Sequence, residues 1–186
     1  LSLFSNNPME NKLIVILGPT ASGKTALAVK IANDINSEII SADSRQIYKR
    51  MNIGTGKDLH EYALGSELIP YHLIDILNPK LNYSVFQFKN DFHRIYKELN
   101  KKNKIPILCG GTALYIDSIL FNYDMSGVAP NHKIRKQLEK LSLSELKNKL
   151  ITKNKNIYDR NFHITKRRII RTLEITDSKK KNINSF

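Results

Sequence analysis

With 186 residues, 41% of them hydrophobic, the chain suffices for one α/β domain with a real core and a small helical appendage. Its single cysteine excludes a disulfide framework and a cysteine metal cluster, which fits a reducing cytosol, and no apolar run approaches the roughly 20 residues of a membrane span. The formal net charge of +13 is concentrated: residues 1–130 hold 14 Lys and Arg against 12 Asp and Glu, residues 131–186 hold 16 against 5, so the last segment carries +11.

In chain order, Leu1–Pro8 lacks the basic start and long apolar stretch of a signal peptide. Residues 1–11 read as a leader or disordered stretch, with Met9 as a candidate natural start. Lys12–Leu17 is a short continuous apolar run ending in Gly-Pro, the pattern of a buried parallel strand. Lys24–Asn33 places Ala, Leu, Val and Ile at helical spacing. Glu38–Ile40 reads as a second strand, and Tyr71–Leu77 as a third. Val85, Phe88, Phe92, Ile95 and Leu99 form one stripe and predict an amphipathic helix over 85–99. Ile105–Cys109 is another buried strand, closed by Gly110-Gly111-Thr112. Strands alternating with helices predict an α/β fold, a P-loop NTPase-like doubly wound parallel sheet occupying residues 12–125. In such sheets ligands gather at the C-terminal strand ends.

Beyond Gly127 and Pro130 the pattern changes. Residues 126–162 form a basic helical segment, with one or two amphipathic helices over His132–Leu150. Residues 163–177 form an arginine helix returning to the core, in which Arg171 lies beside Arg167 and Arg168 at helical spacing and makes one basic edge. Residues 178–186 read as a basic tail with no core to join. A basic segment on a near-neutral body suits a polyanionic partner such as nucleic acid; the alternative is a solvated lysine-rich face.

Gly18-Pro19-Thr20-Ala21-Ser22-Gly23-Lys24-Thr25 matches G-x-x-x-x-G-K-[ST] between a strand and a helix. Glycines let the loop wrap an anion with its backbone N–H groups, and the helix adds the positive end of its dipole. Lys24 supplies a mobile charge to phosphate oxygens and Thr25 a hydroxyl for Mg²⁺. A nucleotide hydrolase adds a carboxylate at a strand end to hold Mg²⁺. Asp75 is the nearest candidate, inside an apolar run rather than at its end. Asp43, Ser44, Arg45 and Gln46 are four consecutive polar residues at another strand end. A carboxylate there can accept a proton, while Arg45 and Gln46 can read a base. Alternatively Asp43 or Ser44 caps a helix begun by Gln46.

The segments GPTASGKT, ISADSRQIYKRMNIGTGKD (40–58), YHLIDIL (71–77), YSVFQF (83–88), PILCGGTALY (106–115) and RRIIRTLEI (167–175) occur in this order. Together they resemble the tRNA dimethylallyltransferase family, also called tRNA isopentenyltransferases, over roughly residues 12–176. The resemblance implies that the loop from Gly18 to Thr25 holds the diphosphate of dimethylallyl diphosphate, the co-substrate, with Mg²⁺ at Thr25. The acceptor would be the N6 amine of the adenosine just 3′ of the anticodon. Asp43 would accept the amine's proton, Lys24 and Arg168 would neutralise the diphosphate, and Thr112 would orient the reacting groups. Asp43, Ser44, Arg45, Gln46, Thr112, Arg135, Arg167, Arg168 and Arg171 would meet the tRNA anticodon stem-loop. A cytoplasmic monomer with no membrane contact is expected. The sequence departs from the family at Ala113, where a glycine is usual, and at His163-Ile164-Thr165-Lys166, where Asn-Asp-Pro is usual. The family also continues through further helices where this chain stops at Phe186. A relative acting on free AMP, ADP or ATP, a small-molecule kinase, and a non-catalytic tRNA- or diphosphate-binding remnant are the competing expectations.

Overall fold

The computed structural model describes residues 12–121, 128, 130–153 and 165–183. The proposed leader 1–11, the break at Gly127 and the departure at His163 and Ile164 lie outside the described residues. The chain divides into two compact units at Asp124/Met125.

The first unit is built on a four-stranded sheet of β1 (Ile14–Leu17), β2 (Ile39–Ser41), β5 (Tyr71–His72) and β6 (Ile107–Gly110), in the order β1-β6-β2-β5. All of its pairings are parallel. Both faces are covered, which is why the strands read as unbroken apolar runs. Alternate residues point to opposite faces. Ile40 and Leu108 join Phe88, Phe92, Ile95 and Leu99 of α2 (Val85–Lys101) and Tyr115 and Ile116 of α3 (Ala113–Leu120) in one cluster. Ile39, Ile107 and Cys109 join Ala28, Val29 and Ala32 of α1 (Lys24–Asp34) in the other. Each fully buried large side chain contributes roughly 1.5–3 kcal/mol. The predicted stripe on α2 is its buried face, and Ser84 caps the helix in a reciprocal box with Gln87. A two-stranded antiparallel ribbon, β3 (Ala63–Leu64) and β4 (Glu67–Leu68), follows a 3₁₀ turn at Leu59–Tyr62.

At the start of β2, buried Glu38 takes bonds from His72 Nε2 at 2.7 Å and Lys104 Nζ at 2.9 Å. Burial alone would raise its carboxyl, but these partners hold it below the ordinary value. This ties three segments together at the end of β2 away from Asp43.

The expected strand over Tyr71–Leu77 is shortened to Tyr71–His72. Leu73 and Asp75 have φ of 63° and 55°, a left-handed conformation that cannot continue a strand. The chain then re-pairs through a parallel bridge between Tyr48 and Leu77.

The second unit contains α4 (His132–Leu138), α5 (Leu143–Lys153) and α6 (Lys166–Ile183). Leu138, Leu146, Leu150, Ile169, Ile170 and Leu173 form its core. The arginine helix therefore has apolar partners of its own in α4 and α5. The stretch from Ser178, expected as a tail, continues α6 to Ile183, since its lysines are good helix formers.

Candidate functional site

Strand β1 ends at Leu17 and α1 begins at Lys24, so residues 18–23 form a loop at the C-terminal edge of the sheet. Gly23 precedes the helix with φ 77°, a conformation that favours glycine. Lys24 Nζ folds back onto the Pro19 carbonyl and lies 3.4 Å from Ser22 Oγ.

Next to this loop, β2 and β6 approach closely. A Cβ on Gly110 would lie 2.4 Å from the carbonyl carbon and oxygen of Ala42, so only glycine fits. The Ala42 N–H donates to the Cys109 carbonyl at 2.7 Å and the Thr112 N–H to the Ala42 carbonyl at 3.0 Å. These bonds carry the end of β2 alongside the Gly110-Gly111 bend.

Past β2 the chain turns rather than starting a helix. Asp43 Oδ1 accepts from the Arg45 N–H at 2.9 Å, an Asx turn, so the alternative of a helix begun at Gln46 does not hold. The Ser44 N–H donates to Thr112 Oγ1 at 2.9 Å, and the two hydroxyls lie 3.2 Å apart. Thr112 is the N-cap residue of α3, yet its hydroxyl serves Ser44 instead of the helix. Gln46 accepts from Ser41 Oγ and donates to the Gly56 carbonyl, both at 3.0 Å.

Thr20, Ala21, Ser22, Gly23, Lys24 and Thr25 line a cleft of about 240 Å³ together with Asp43 and Gln46. Thr55, Gly56, Asp58, Glu61, Tyr62, Cys109, Gly110 and Gly111 complete its walls. The phosphate-loop motif and the Asp43–Gln46 turn, far apart in sequence, thus share one cavity. Ser44, Arg45 and Thr112 support or flank the turn, and Arg45 is exposed. Sequence reasoning missed Asp58, Glu61 and Tyr62. Asp58 carried one signal, being a residue type that favours caps; in the structure its carboxylate accepts from the His60 N–H at 3.0 Å as a cap of the 3₁₀ turn. Burial pushes the Cys109 thiol up to about 11 and raises the Tyr62 phenol, so both are protonated at neutral pH.

Asp75, the candidate strand-end carboxylate of a nucleotide hydrolase, is elsewhere. It sits in a left-handed turn and pairs with Lys57, whose side chain is 1% exposed. Among the described residues, no three His, Cys, Asp or Glu side chains converge to hold a metal unaided. The donors present, a threonine hydroxyl beside a phosphate loop, suit a hard cation that brings phosphate oxygens and water as its other ligands.

In the second unit, Arg135 Nε and Nη2 donate to Glu174 at 3.1 and 2.9 Å. Arg171 Nη1 donates to the same carboxylate at 2.5 Å, and its Nη2 to the Val128 carbonyl at 2.7 Å. Two of the arginines expected to meet nucleic acid are thus engaged inside the unit, while Arg167 and Arg168 are exposed. Burial would raise the Glu174 carboxyl, but Arg135, Arg171 and the Asn131 N–H hold it down at about 2.

Comparison with known proteins fits this arrangement. A profile described as IPP transferase matches residues 46–186. The chain is 50% identical over 181 residues to tRNA dimethylallyltransferase 1 of Azobacteroides pseudotrichonymphae, covering 95% of this chain and 59% of that protein. It is 46% identical to tRNA dimethylallyltransferase 1 of Parabacteroides distasonis, covering 89% of this chain and 54% of the relative. The crystal structure of a eukaryotic dimethylallyltransferase acting on tRNA aligns with TM-score 0.74 at 29% identity, over 94% of this chain and 44% of that one. The tRNA isopentenylpyrophosphate transferase of Bacillus halodurans aligns with TM-score 0.56 at 34% identity, over 89% and 55%. The chain spans a little over half the length of the curated relatives it matches. With a phosphate loop and a strand-end carboxylate in one cleft, and with these relatives, the chain belongs to the IPP transferase family.

Proposed function

We propose that this chain carries the catalytic centre of a tRNA dimethylallyltransferase, which moves the dimethylallyl group of dimethylallyl diphosphate to N6 of the adenosine 3′ to the anticodon. The observation that carries the proposal is the shared cleft: Lys24 and Thr25 of the phosphate loop line it with Asp43.

An aromatic amine is a weak nucleophile, because its lone pair is delocalised into the ring. An allylic carbon is a good electrophile once the diphosphate can depart with its charge neutralised. In this reading the N–H groups of residues 20–25 and Lys24 hold the diphosphate. Mg²⁺ bound through the Thr25 hydroxyl and diphosphate oxygens would supply further charge to the leaving group. The amine nitrogen bonds to C1 of the allyl group, the C1–O bond electrons leave with diphosphate, and the amine proton passes to Asp43. Thr112 acts through Ser44, steadying the turn that presents Asp43. The target base must leave its stack to enter a strand-end cleft. Arg167 and the lysines of the second unit offer charge to the stem-loop phosphates, and the reaction belongs in the cytoplasm with its tRNA, carried out by a monomer.

Labelled dimethylallyl diphosphate with Mg²⁺, offered separately to tRNA, to AMP and to buffer, tests the proposal. Label on tRNA is expected. Label on AMP alone points to a free-nucleotide acceptor, and binding without transfer to a non-catalytic remnant; either result overturns the reading.

A further inference from the structure

Lys57 carries an ammonium withdrawn from water. Its three N–H donors meet three acceptors: the Tyr48 carbonyl at 2.8 Å, Asn52 Oδ1 at 3.2 Å and the Asp75 carboxylate. A buried ammonium is tolerated where each donor is matched, so this arrangement has one geometry. It ties together chain positions 48, 52, 57 and 75. The Asp75 N–H also donates to the Gln46 carbonyl at 3.0 Å.

The residue beside Lys57 is Gly56, whose carbonyl receives Gln46 Nε2 at 3.0 Å. Because a carbonyl only accepts, the amide nitrogen must face Gly56 and the amide oxygen must face Ser41, whose hydroxyl donates to it at 3.0 Å. Gln46 is thereby fixed at its backbone and at both ends of its amide. Among the described residues one N–H and one oxygen lone pair remain unused, on a side chain that lines the cleft with Asp43.

An adjoining donor and acceptor match adenine, which offers an amine N–H next to a ring nitrogen. The amine has two hydrogens, one for the Gln46 oxygen and one for Asp43. Hypoxanthine, with a carbonyl in place of the amine and a protonated N1, offers the reverse order. A freely turning amide would accept either base by flipping; a fixed one, with position 6 of the base held at Asp43, accepts adenine alone.

We propose that Ser41 and Lys57 are positioning residues that lock the Gln46 amide in the orientation that accepts adenine and rejects hypoxanthine at the acceptor base. The proposal rests on the transferase reading above. Anticodon stem-loops carrying adenosine or inosine at the target position, titrated against the protein, give the preference directly. The wild-type chain is expected to favour adenosine by about ten-fold or more, the scale of one well-made bidentate base contact. Lys57→Met and Ser41→Ala should each lower that preference by about three-fold, the remainder being kept by Asp43 as an acceptor at position 6, with dimethylallyl diphosphate affinity unchanged within about two-fold. Asp75→Asn, which keeps an acceptor for Lys57, should retain most of it. If Lys57→Met does not fold, by circular dichroism, Ser41→Ala decides alone, since it removes a single hydroxyl. Variants as selective as the wild type, or a wild type without selectivity, overturn the amide lock and leave the transferase reading standing. A wild-type chain that binds neither stem-loop and transfers no prenyl group overturns both.

Discussion

The charged side chains that line the cleft of the first unit and those at the centre of the second are used in opposite ways. In the first, Lys24 and Asp43 are held by their own local chain: Lys24 by the Pro19 carbonyl, Asp43 by the Arg45 N–H. Among the described residues neither is committed to a structural ion pair, and both line the cleft. In the second, the charges answer one another. Glu174 is fully buried and gathers Arg135, Arg171 and the Asn131 N–H, and Lys153 pairs with Asp177. The lesson is that charge density in sequence does not locate the chemistry. The unit with more net charge spends several of its groups on folding, and the near-neutral one, beside its structural pairs Lys57–Asp75 and Glu38–Lys104, leaves a lysine and a carboxylate lining its cleft.

The largest effect that would test this contrast is on transfer. Asp43→Ala should lower prenyl transfer by about 10²-fold or more, the range for a general base, with little change in diphosphate affinity. Single-turnover rates and calorimetry separate the two. Normal turnover in this variant would remove Asp43 from the reaction. Glu174→Ala should do the reverse: diphosphate binding is retained, while the second unit loses about 3 kcal/mol because two guanidinium groups lose their buried partner. Amide hydrogen exchange in α5 and α6 reads this loss, and unchanged protection there would show that the pair is not structural. The pH dependence follows from the sign of the shift. Glu174 is held at about 2, below the ordinary 4.5, so its contribution is present above the unfolded value and disappears as pH falls through the folded one. The second unit should therefore loosen between those two values.

Sequence and structure agree most where a side-chain period decides. The stripe Phe88, Phe92, Ile95, Leu99 names the buried face of α2 without ambiguity, and the phosphate-loop pattern between strand and helix fixes residues 18–25. They part where a few backbone torsions decide. Little in Tyr71–Leu77 announces that Leu73 and Asp75 take left-handed φ: Asp tolerates that region, but Leu73 is an unusual host for it, and both sit inside an apolar run. The apolar run therefore looked like a longer strand. The pairing of Arg135 with Glu174 was also invisible, since it joins positions 39 apart. Helical spacing alone put Arg171 on an outer basic edge, when Glu174, three residues on, offers it a buried partner. Asp58, Glu61 and Tyr62 reach the cleft through a 3₁₀ turn that has no period to detect.

A smaller effect concerns the seam that shapes the cleft. Gly110→Ala places a methyl 2.4 Å from the Ala42 backbone, which has no flexible end to move aside. The ends of β2 and β6 must separate, at a cost of about 1–3 kcal/mol, typical of overpacking. Diphosphate affinity should fall with it, although Gly110 offers no side chain to a ligand. A variant with full affinity and full stability would show that the seam can yield without disturbing the loop.

The smallest predicted effect sharpens the comparison most, because both units contain the same device with different chemistry. Ser84 and Gln87 box the start of α2: Ser84 Oγ accepts from the Gln87 N–H at 3.3 Å, and Gln87 Oε1 accepts from the Ser84 N–H at 2.8 Å. Ser142 and Glu145 do the same at α5, at 3.2 and 2.7 Å. One box is neutral and the other ionised. The hydrogen bonds from Ser142 hold the Glu145 carboxyl below its ordinary value, so that box contributes fully above the ordinary carboxylate pKa and fades as pH falls through the lowered one. Ser84→Ala should cost about 1 kcal/mol at every pH where the protein is folded. Ser142→Ala should cost stability at neutral pH and progressively less in acid, read by hydrogen exchange in the first turn of each helix. Two penalties that fall together in acid would mean that neither depends on the charge of the box partner three residues on. A constant pair would mean that Glu145 serves α5 only as a hydrogen-bond acceptor, with its charge screened by the solvent around it.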